Sequence, residues 1–423
     1  MRWLIFGSLL PALLVSWASA WAVRRYGMRW GLVDRPGGRK IHSTAMPTSG
    51  GVAIWLGIVV PLAVGHAVLA WLPLAHHLPL AASGIGAIRL PAFIETHLPG
   101  LWEQAPKLWL MLGGGSVLLV LGLLDDRFGL GWKIRLAVQT AVALTMVRLG
   151  WRMTLFIDLP LVTGALSVVW IVGLVNSFNM LDNMDGLSAG VATIAAGILA
   201  TVMLLAPDPR TNQPQLFVGG FLLVLVGSLL GFLWHNRPPA RLFMGNAGSY
   251  FVGCLLALTT LMATFAGHNV PKYAILAPLC VLAVPLYDMV SVILIRLREG
   301  RSPFEGDKSH FSHRLVELGL TKTQAVLTIY LATAACGLGA FLLHEVDTAG
   351  ACIILLLVAS MLALIAILES AGRHKRAADA AAVKQPFQNH EPLTPDPSPT
   401  RGEGGLETAS KNPPVKNAGE PRA

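Results

Sequence analysis

The chain has 423 residues, of which 54% are hydrophobic and 13% are charged, and its formal net charge is +9. Soluble domains carry about 25% charged residues, so this composition excludes an ordinary soluble fold. Apolar runs of about 20 residues recur along the chain, each long enough to cross a bilayer as a helix, and no alternating strand pattern of about 10 residues competes with them. The sequence therefore predicts an all-α, polytopic integral membrane protein.

Eleven transmembrane helices are predicted in chain order. They cover about residues 3–22, 50–72, 108–124, 134–149, 160–176, 186–206, 215–234, 247–266, 273–295, 323–343 and 349–369. Of the 32 lysines and arginines, 25 fall in the loops after odd-numbered spans and in the C-terminal tail. By the positive-inside rule, this bias predicts a multi-pass protein of the inner (plasma) membrane with its N-terminus outside and its C-terminus in the cytoplasm.

The first 22 residues have an alternative interpretation as a secretory signal. Ala18-Ser19-Ala20 follows an apolar stretch and resembles a cleavage site. Cleavage there would leave the Arg24-Arg25 cluster outside, against the charge bias. An uncleaved first span fits the sequence better.

The C-terminal segment differs from the rest of the chain. Residues 371–423 contain eight prolines and almost no aromatic residues, so they cannot bury enough apolar surface to fold. We therefore predict a membrane domain over residues 1–370 and a disordered cytoplasmic tail over residues 371–423.

Cysteine spacing and charge exclude other classes of site. The four cysteines lie inside apolar runs with no CxxC or His-Cys spacing, which argues against a disulfide framework and against zinc. In a membrane protein, the positive charge reports orientation rather than nucleic acid binding.

The unusual polar residues gather at one predicted membrane face, the cytoplasmic one. The first group is Asp125, Asp126, Asn176, Asn179, Asp182 and Asp185. A channel or carrier needs polar groups along a path near mid-membrane, whereas these cluster at one end. The pattern indicates an active site at the membrane surface, and its oxygen ligands favour Mg²⁺ or Mn²⁺.

These acidic and amide side chains also have structural interpretations. A solvated helix end explains Asp125 and Asp126, and caps or turns explain one or two of the others. Negative charge at a helix C-terminus opposes the macrodipole, however, and a bound cation would offset that cost. Side chains three residues apart share a helix face, so four in register between two apolar spans are harder to explain by caps alone.

Two further segments on the same face suit phosphate. Residues 243–249 place two glycines around Asn246 at the start of a span, where backbone N–H groups favour anions, although a plain helix entry with an Asn cap explains this segment equally well. Residues 304–314 are polar and basic and include His310, His313 and Arg314, and Lys40 precedes the Gly-rich entry to the second span. Carboxylates, cations and close backbone approach together predict a phosphate site.

The ordered set of motifs resembles the polyprenyl-phosphate N-acetylhexosamine 1-phosphate transferases. This glycosyltransferase 4 family includes the phospho-MurNAc-pentapeptide translocase and the transferases that start enterobacterial common antigen and teichoic acid synthesis. The resemblance runs from about Lys40 to Gly319. The family's Asp-Asp is met by Asp125-Asp126, its Asn-x-x-Asn-x-x-Asp-Gly-x-Asp-Gly by residues 176–186, its Phe-Met-Gly-Asp-x-Gly-Ser by residues 243–249 and its His-x-His-His-Arg-Leu by residues 310–315.

Three positions depart from the family pattern. Asn183 replaces the first Gly of the second motif, and Ser312 replaces the middle His of the last. Asn246 stands where the family usually has a metal-binding Asp, which puts metal affinity in question. The segment from His310 to Arg314 is closer to the GlcNAc-type branch than to the three-histidine pattern of the peptidoglycan translocase.

The resemblance implies a specific reaction. A sugar 1-phosphate, GlcNAc 1-phosphate in the first instance, would pass from a UDP-sugar to a polyprenyl phosphate such as undecaprenyl phosphate, releasing UMP and starting a cell-envelope polysaccharide such as lipopolysaccharide. Mg²⁺ or Mn²⁺ is the implied cofactor. The implied roles are Asp125, Asp126 and Asp182 in catalysis, with Asp125, Asp182 and Asn246 at the metal, Asn179 and Asp185 at the nucleotide sugar, and Lys40, His310, His313 and Arg314 at the phosphates.

Three alternatives stay open at this point. The same chemistry could use another sugar, such as phospho-MurNAc-pentapeptide, or the chain could be a transporter or flippase, or a catalytically silent relative. The sequence also leaves open whether the chain forms a homodimer. A general base is not required, because the second pKa of a phosphate monoester is about 6 and the acceptor is largely a dianion at neutral pH.

Overall fold

The computed structural model describes residues 1–34, 46–75, 92–153, 159–206, 208, 213–263, 272–307 and 309–383. The described part is almost entirely helical, as the apolar runs predict. Its helices are α1 (Arg2–Tyr26), α2 (Gly50–Ala75), α3 (Ala92–Phe128), α4 (Trp132–Arg148), α5 (Pro160–Leu181), α6 (Leu187–Leu205), α7 (Leu216–Asn236), α8 (Gly245–Met262), α9 (Ala277–Val281), α10 (Ala283–Arg298), α11 (Phe311–Glu317), α12 (Lys322–Leu342) and α13 (Thr348–Val383).

Each of the eleven predicted spans overlaps at least one helix of the described residues, and the fold class is confirmed. In the described residues, nine helices are long and apolar enough to cross a membrane. The predicted span at 134–149 corresponds to α4, which has 17 residues. The predicted span at 273–295 is not straight, because its two halves, Tyr273–Val281 and Ala283–Arg298, meet at an angle of 70°.

Helix α8 lies at the centre of the bundle. It packs against α2, α3 and α5, and nearly all of its residues are buried. Small residues permit the closest of these approaches, as is usual between helices in membranes. A Cβ atom at Gly122 of α3 would lie 2.3 Å from the Cα of Ala247, so this crossing requires glycine.

A short antiparallel ribbon joins the first two long helices. Strand β1 (Val33–Asp34) pairs with β2 (Met46–Pro47), with Val33 opposite Pro47. The end of β2 contacts the segment that precedes α8, because Phe243 N donates to Pro47 O at 2.9 Å. Residues 35–45, which include the predicted phosphate ligand Lys40, lie outside the described part of the chain.

By its contacts the chain divides into Met1–Arg373 and His374–Ala423. The boundary that we predicted at residue 370 falls within α13, which continues to Val383. Residues 384–423 lie outside the described part, so the disordered tail stays a prediction. All four cysteines are free thiols, in line with the absence of disulfide spacing in the sequence.

Candidate active site

The close approach of α3 to α8 at Gly122 positions Asp126 at the N-terminus of α8. One turn beyond Gly122, the Asp126 carboxylate accepts hydrogen bonds from Asn246 N at 3.0 Å and from Ala247 N at 3.4 Å. These N–H groups carry the positive end of the helix macrodipole, which stabilises an anion there. The helix start that the sequence suggested for phosphate therefore holds a carboxylate of the protein itself.

Asp125 points into the bundle and is buried. Its Oδ1 accepts a hydrogen bond from Leu130 N at 2.9 Å. Its Oδ2 accepts three more, from Arg135 Nη1 at 3.1 Å, Asn246 Nδ2 at 2.8 Å and Tyr250 Oη at 3.1 Å. A carboxylate offers about four acceptor sites, so protein donors occupy most of the capacity of Asp125, and Arg135 balances its charge.

Asn246 connects Asp125 to Asn179, an amide of α5. Its Nδ2 donates to Asp125, and its Oδ1 accepts from Asn179 Nδ2 at 2.7 Å. Asn179 Nδ2 also donates to Ser249 Oγ at 3.1 Å. An amide can donate on one side and accept on the other, and Asn246 uses both properties here.

Asp182 caps the end of α5 and faces the same helix start. Its carboxylate accepts a hydrogen bond from Gly245 N, while burial and the charges of Asp126 and Asp185 raise the pKa of Asp182 to about 8. Gly245 has a φ of +70°, and a Cβ there would lie 2.6 Å from Asp126 Oδ2. Glycine is therefore required where the two acids meet the backbone.

This arrangement fits a divalent cation. Burial beside other carboxylates disfavours the charge of Asp182, and a bound cation would relieve that cost. No group of three or more His, Cys, Asp or Glu side chains within the described ranges is arranged as a metal site. Mg²⁺ commonly uses one or two carboxylates and completes its shell with water and substrate phosphates, so two acids are sufficient.

Asp185 turns toward a neighbouring loop. Its Oδ2 accepts a hydrogen bond from Ala240 N at 2.9 Å. Asn236 completes the same junction, since Gly186 N donates to its Oδ1 at 3.0 Å and its Nδ2 donates to Leu242 O at 2.9 Å. Asp185 therefore fastens the loop before α8, and its predicted contact with the nucleotide sugar stays a prediction.

His310 is held by an acid that the site prediction did not include. Its Nδ1 lies 3.0 Å from Oδ2 of Asp288, and Phe311 N donates to Oδ1 of the same carboxylate at 2.6 Å. Asp288 is fully buried on α10. Nδ1 is therefore the ring nitrogen of His310 that faces Asp288. The centroids of the His310 and His313 rings are 6.4 Å apart.

Arg314 contacts protein groups on three sides. Nη1 donates to Ser309 O at 2.6 Å, Nη2 donates to Ser291 Oγ at 2.8 Å, and Nε lies 3.0 Å from Glu369 Oε2. Both members of the Arg314–Glu369 pair are buried. Arg314 therefore fastens α11 to α10 and α13, and its predicted contact with a phosphate stays a prediction.

A cavity of about 630 Å³ opens beside these residues. Its lining combines polar residues, among them Asn179, Asp182 and His310, with apolar residues of α4, α5 and α10, and it also includes Arg135 and Arg296. Trp132 and Phe304 also line it, and their rings stack with centroids 4.1 Å apart and planes 4° apart. The cavity therefore offers both polar and apolar contacts to a bound molecule.

The predicted residues thus divide into groups. Asp125, Asp126, Asn179, Asp182 and Asn246 form one network, and His310 lines the same cavity as Asp182. The predicted site residues did not include three that hold this arrangement, Arg135, Tyr250 and Asp288, although the sequence placed Asp288 among the unusual polar residues of the same membrane face. Asp288 carried a signal, since it is a lone acid in an apolar run at the same predicted membrane face.

Known proteins resemble this chain over most of its length. The pattern of glycosyl transferase family 4 matches residues 108–264. A probable undecaprenyl-phosphate N-acetylglucosaminyl 1-phosphate transferase of Bacillus subtilis is 31% identical over 318 residues, covering 73% of this chain and 76% of the relative.

Two further relatives have similar names. The decaprenyl-phosphate N-acetylglucosaminephosphotransferase of Mycobacterium tuberculosis is 31% identical over 390 residues, 85% of this chain and 88% of the relative. The undecaprenyl-phosphate alpha-N-acetylglucosaminyl 1-phosphate transferase of Escherichia coli K12 is 28% identical over 328 residues, 74% of this chain and 76% of the relative.

Proposed function

This chain belongs to glycosyl transferase family 4, and we propose that it transfers N-acetylglucosamine 1-phosphate from UDP-GlcNAc to a polyprenyl phosphate, releasing UMP. The resemblance that the motifs indicated is confirmed at the level of the family. The chain is a membrane-bound sugar-phosphate transferase. The sugar, the lipid and the membrane face are the proposed part.

The observation that carries the proposal is the mixed lining of the cavity. Asn179, Asp182 and His310 line it, together with Val172, Met289 and other apolar residues of α4, α5 and α10. A nucleotide sugar is hydrophilic, and a polyprenyl chain is apolar, so a site for both needs these two environments in contact. This supports an acceptor whose phosphate lies near Asp182 and whose chain contacts the apolar residues.

We assign the divalent cation, Mg²⁺ or Mn²⁺, to Asp182 and Asp126. The ligand atoms of Asp125 and Asn246 are already engaged by Arg135, Tyr250 and Asn179, so they hold the network together instead. The resemblance places Asp125 and Asn246 at the metal as well, and that assignment stays a prediction. When bound, such a cation supplies charge neutralisation for the phosphates.

His310 and Asp288 are proposed to align the phosphates and to stabilise their charge. His310, oriented by Asp288, lines the cavity near Asp182 and suits contact with a phosphate oxygen. A polyprenyl phosphate is largely a dianion at neutral pH, since its second pKa is about 6, so the site does not need to remove a proton. Alignment and charge stabilisation carry most of the work in phosphoryl transfer.

The charge bias of the loops supports the cytoplasmic face as the location of this site. Arg296, Arg301 and Arg314 all lie in or beside the segment that carries His310. We propose that the N-terminus lies outside the plasma membrane and the C-terminus in the cytoplasm. A cytosolic nucleotide sugar would then reach the polar residues of the cavity directly.

The decisive experiment measures UMP release by the purified full chain in detergent with Mg²⁺ and undecaprenyl phosphate. UDP-GlcNAc should support release, and UDP-MurNAc-pentapeptide should not. Asp182→Asn should lower turnover more than tenfold, at least 1.36 kcal/mol on the barrier, while Asp347→Asn in an exposed position should not. Absence of UMP with every donor would overturn the proposal, and release without the lipid would indicate hydrolysis.

A further inference from the structure

Two of the three positions where this chain departs from the family pattern are in direct contact. Ser312 Oγ donates a hydrogen bond to Oδ1 of Asn183. The two residues are 129 positions apart in the chain. Relative to the family pattern, Asn183 replaces a glycine and has the larger side chain, whereas Ser312 replaces a histidine and has the smaller one.

The contact joins the two parts of the candidate active site. Asn183 follows Asp182 directly and lines the same cavity. Ser312 lies in the first turn of α11 between His310 and His313, and it is fully buried. The hydrogen bond therefore fixes how far the histidine helix lies from the acidic loop.

Each partner is also held on its own side. Asn183 Nδ2 donates to Met180 O at 2.8 Å, which orients its Oδ1. On the other side, Asp288 accepts from Phe311 N and fixes the start of α11. Because both side chains are already restrained, little side-chain entropy is lost when this buried hydrogen bond forms. The bond therefore holds the two segments at a defined separation.

We propose that Asn183 and Ser312 are a coupled pair of positioning residues that sets the separation between Asp182 and the histidines of α11. The proposal rests on the proposed transferase function. It predicts that the pair acts as a unit, so that the second change in a double variant costs little. It also predicts that the size of one residue determines which residue is tolerated at the other.

The first test is a double-mutant cycle of Asn183→Ala and Ser312→Ala in purified protein. Each single variant should lower kcat at least tenfold while KM for UDP-GlcNAc changes less than threefold. The double variant should be no slower than the slower single variant. Ser302→Ala, which removes the oxygen that accepts from Phe304 N, is the control, and its effect should multiply with that of Asn183→Ala.

The second test changes both sizes in opposite directions. Ser312→His should lower kcat at least tenfold, because a larger side chain enters a fully buried position beside Asn183. Asn183→Gly opens that space, so Asn183→Gly/Ser312→His should turn over within threefold of the wild type. Such a rescue requires that the two positions share one space.

Thermal unfolding of the same variants separates the possible failures. Coupled shifts in Tm with no UMP release by the wild type would overturn the proposed function and, with it, a positioning role in catalysis. An active wild type whose single effects multiply, or whose double variant is not rescued, would overturn the coupled pair and leave the proposed function intact. Equal losses in Tm and folded yield with unchanged kcat would also overturn positioning, since that result describes a structural contact alone.

Discussion

Nδ1 of His310 lies 3.0 Å from Oδ2 of Asp288, a carboxylate that is fully buried on α10. Asp288→Asn removes the charge that orients the ring, so we expect turnover to fall at least tenfold, or 1.36 kcal/mol on the barrier. UMP release measures the effect. If Asp288 acts through His310, then Asp288→Asn/His310→Gln should be no slower than His310→Gln, and a further tenfold loss in the double variant would contradict this role.

Asn246 links Asp125 to Asn179 through a neutral side chain. Asn246→Asp replaces the donor to Asp125 with a second carboxylate, and two facing carboxylates repel unless a cation lies between them. The added carboxylate should lower the Mg²⁺ concentration for half-maximal activity, whereas Asn246→Ala, which removes no ligand assigned to the cation, should leave it unchanged. The Tm of Asn246→Asp should fall only in Mg²⁺-free buffer. Equal Mg²⁺ concentrations for half-maximal activity in the two variants would exclude any influence of residue 246 on the metal.

Gly173 offers a way to fill the cavity next to its apolar residues. It lines the cavity, and a Cβ there would have Met289 Cε at 4.0 Å as its near neighbour, so Gly173→Ala should be tolerated. Gly173→Phe should raise KM for undecaprenyl phosphate at least tenfold with little change in KM for UDP-GlcNAc. Gly197→Phe on α6, where a Cβ also meets open space, is the matched control and should leave both constants unchanged. Equal rises in both constants would contradict the lipid assignment.

The contacts of Asp307 predict how the Tm of the protein depends on pH in the acid range. Burial by itself would raise the pKa of Asp307, but hydrogen bonds from Arg296 and Ser309 outweigh it and hold the pKa well below its usual range. The carboxylate therefore stabilises the fold above about pH 4 and loses that contribution as the pH falls further, when the folded state must also take up the proton. Asp307→Asn should lower Tm at neutral pH and flatten the acid dependence. An unchanged curve, matching that of Asp347→Asn, would contradict the assignment.

Membrane orientation can be tested by cysteine labelling in intact cells. Cys352 is exposed and the other three cysteines are buried, so Cys352→Ser gives a suitable background. Gly306 is exposed, and a Cβ there meets no atom within 4 Å, so Gly306→Cys should fold normally. An impermeant thiol reagent should spare Gly306→Cys and label Gly84→Cys, and labelling of residue 306 from outside would reverse the orientation.

The sequence alone determined the helices and the family. An apolar run of about 20 residues crosses a bilayer as a helix, because only a helix pairs the backbone N–H and C=O groups of an isolated span with one another. Short motifs such as Asp125-Asp126 and residues 243–249 were sufficient to identify the family, since their order along the chain is specific. The gathering of polar residues at one end of the spans also predicted that the acids and amides would meet.

The tertiary structure decided what each of those residues does. Adjacent acids look equivalent in sequence, yet Asp125 is engaged by Tyr250, 125 positions away, whereas Asp126 binds the start of α8. Asn183 and Ser312 are separate departures from a pattern until folding brings them into contact. Such roles depend on hydrogen bonds between distant segments, and no local periodicity encodes which partner a buried polar group will find.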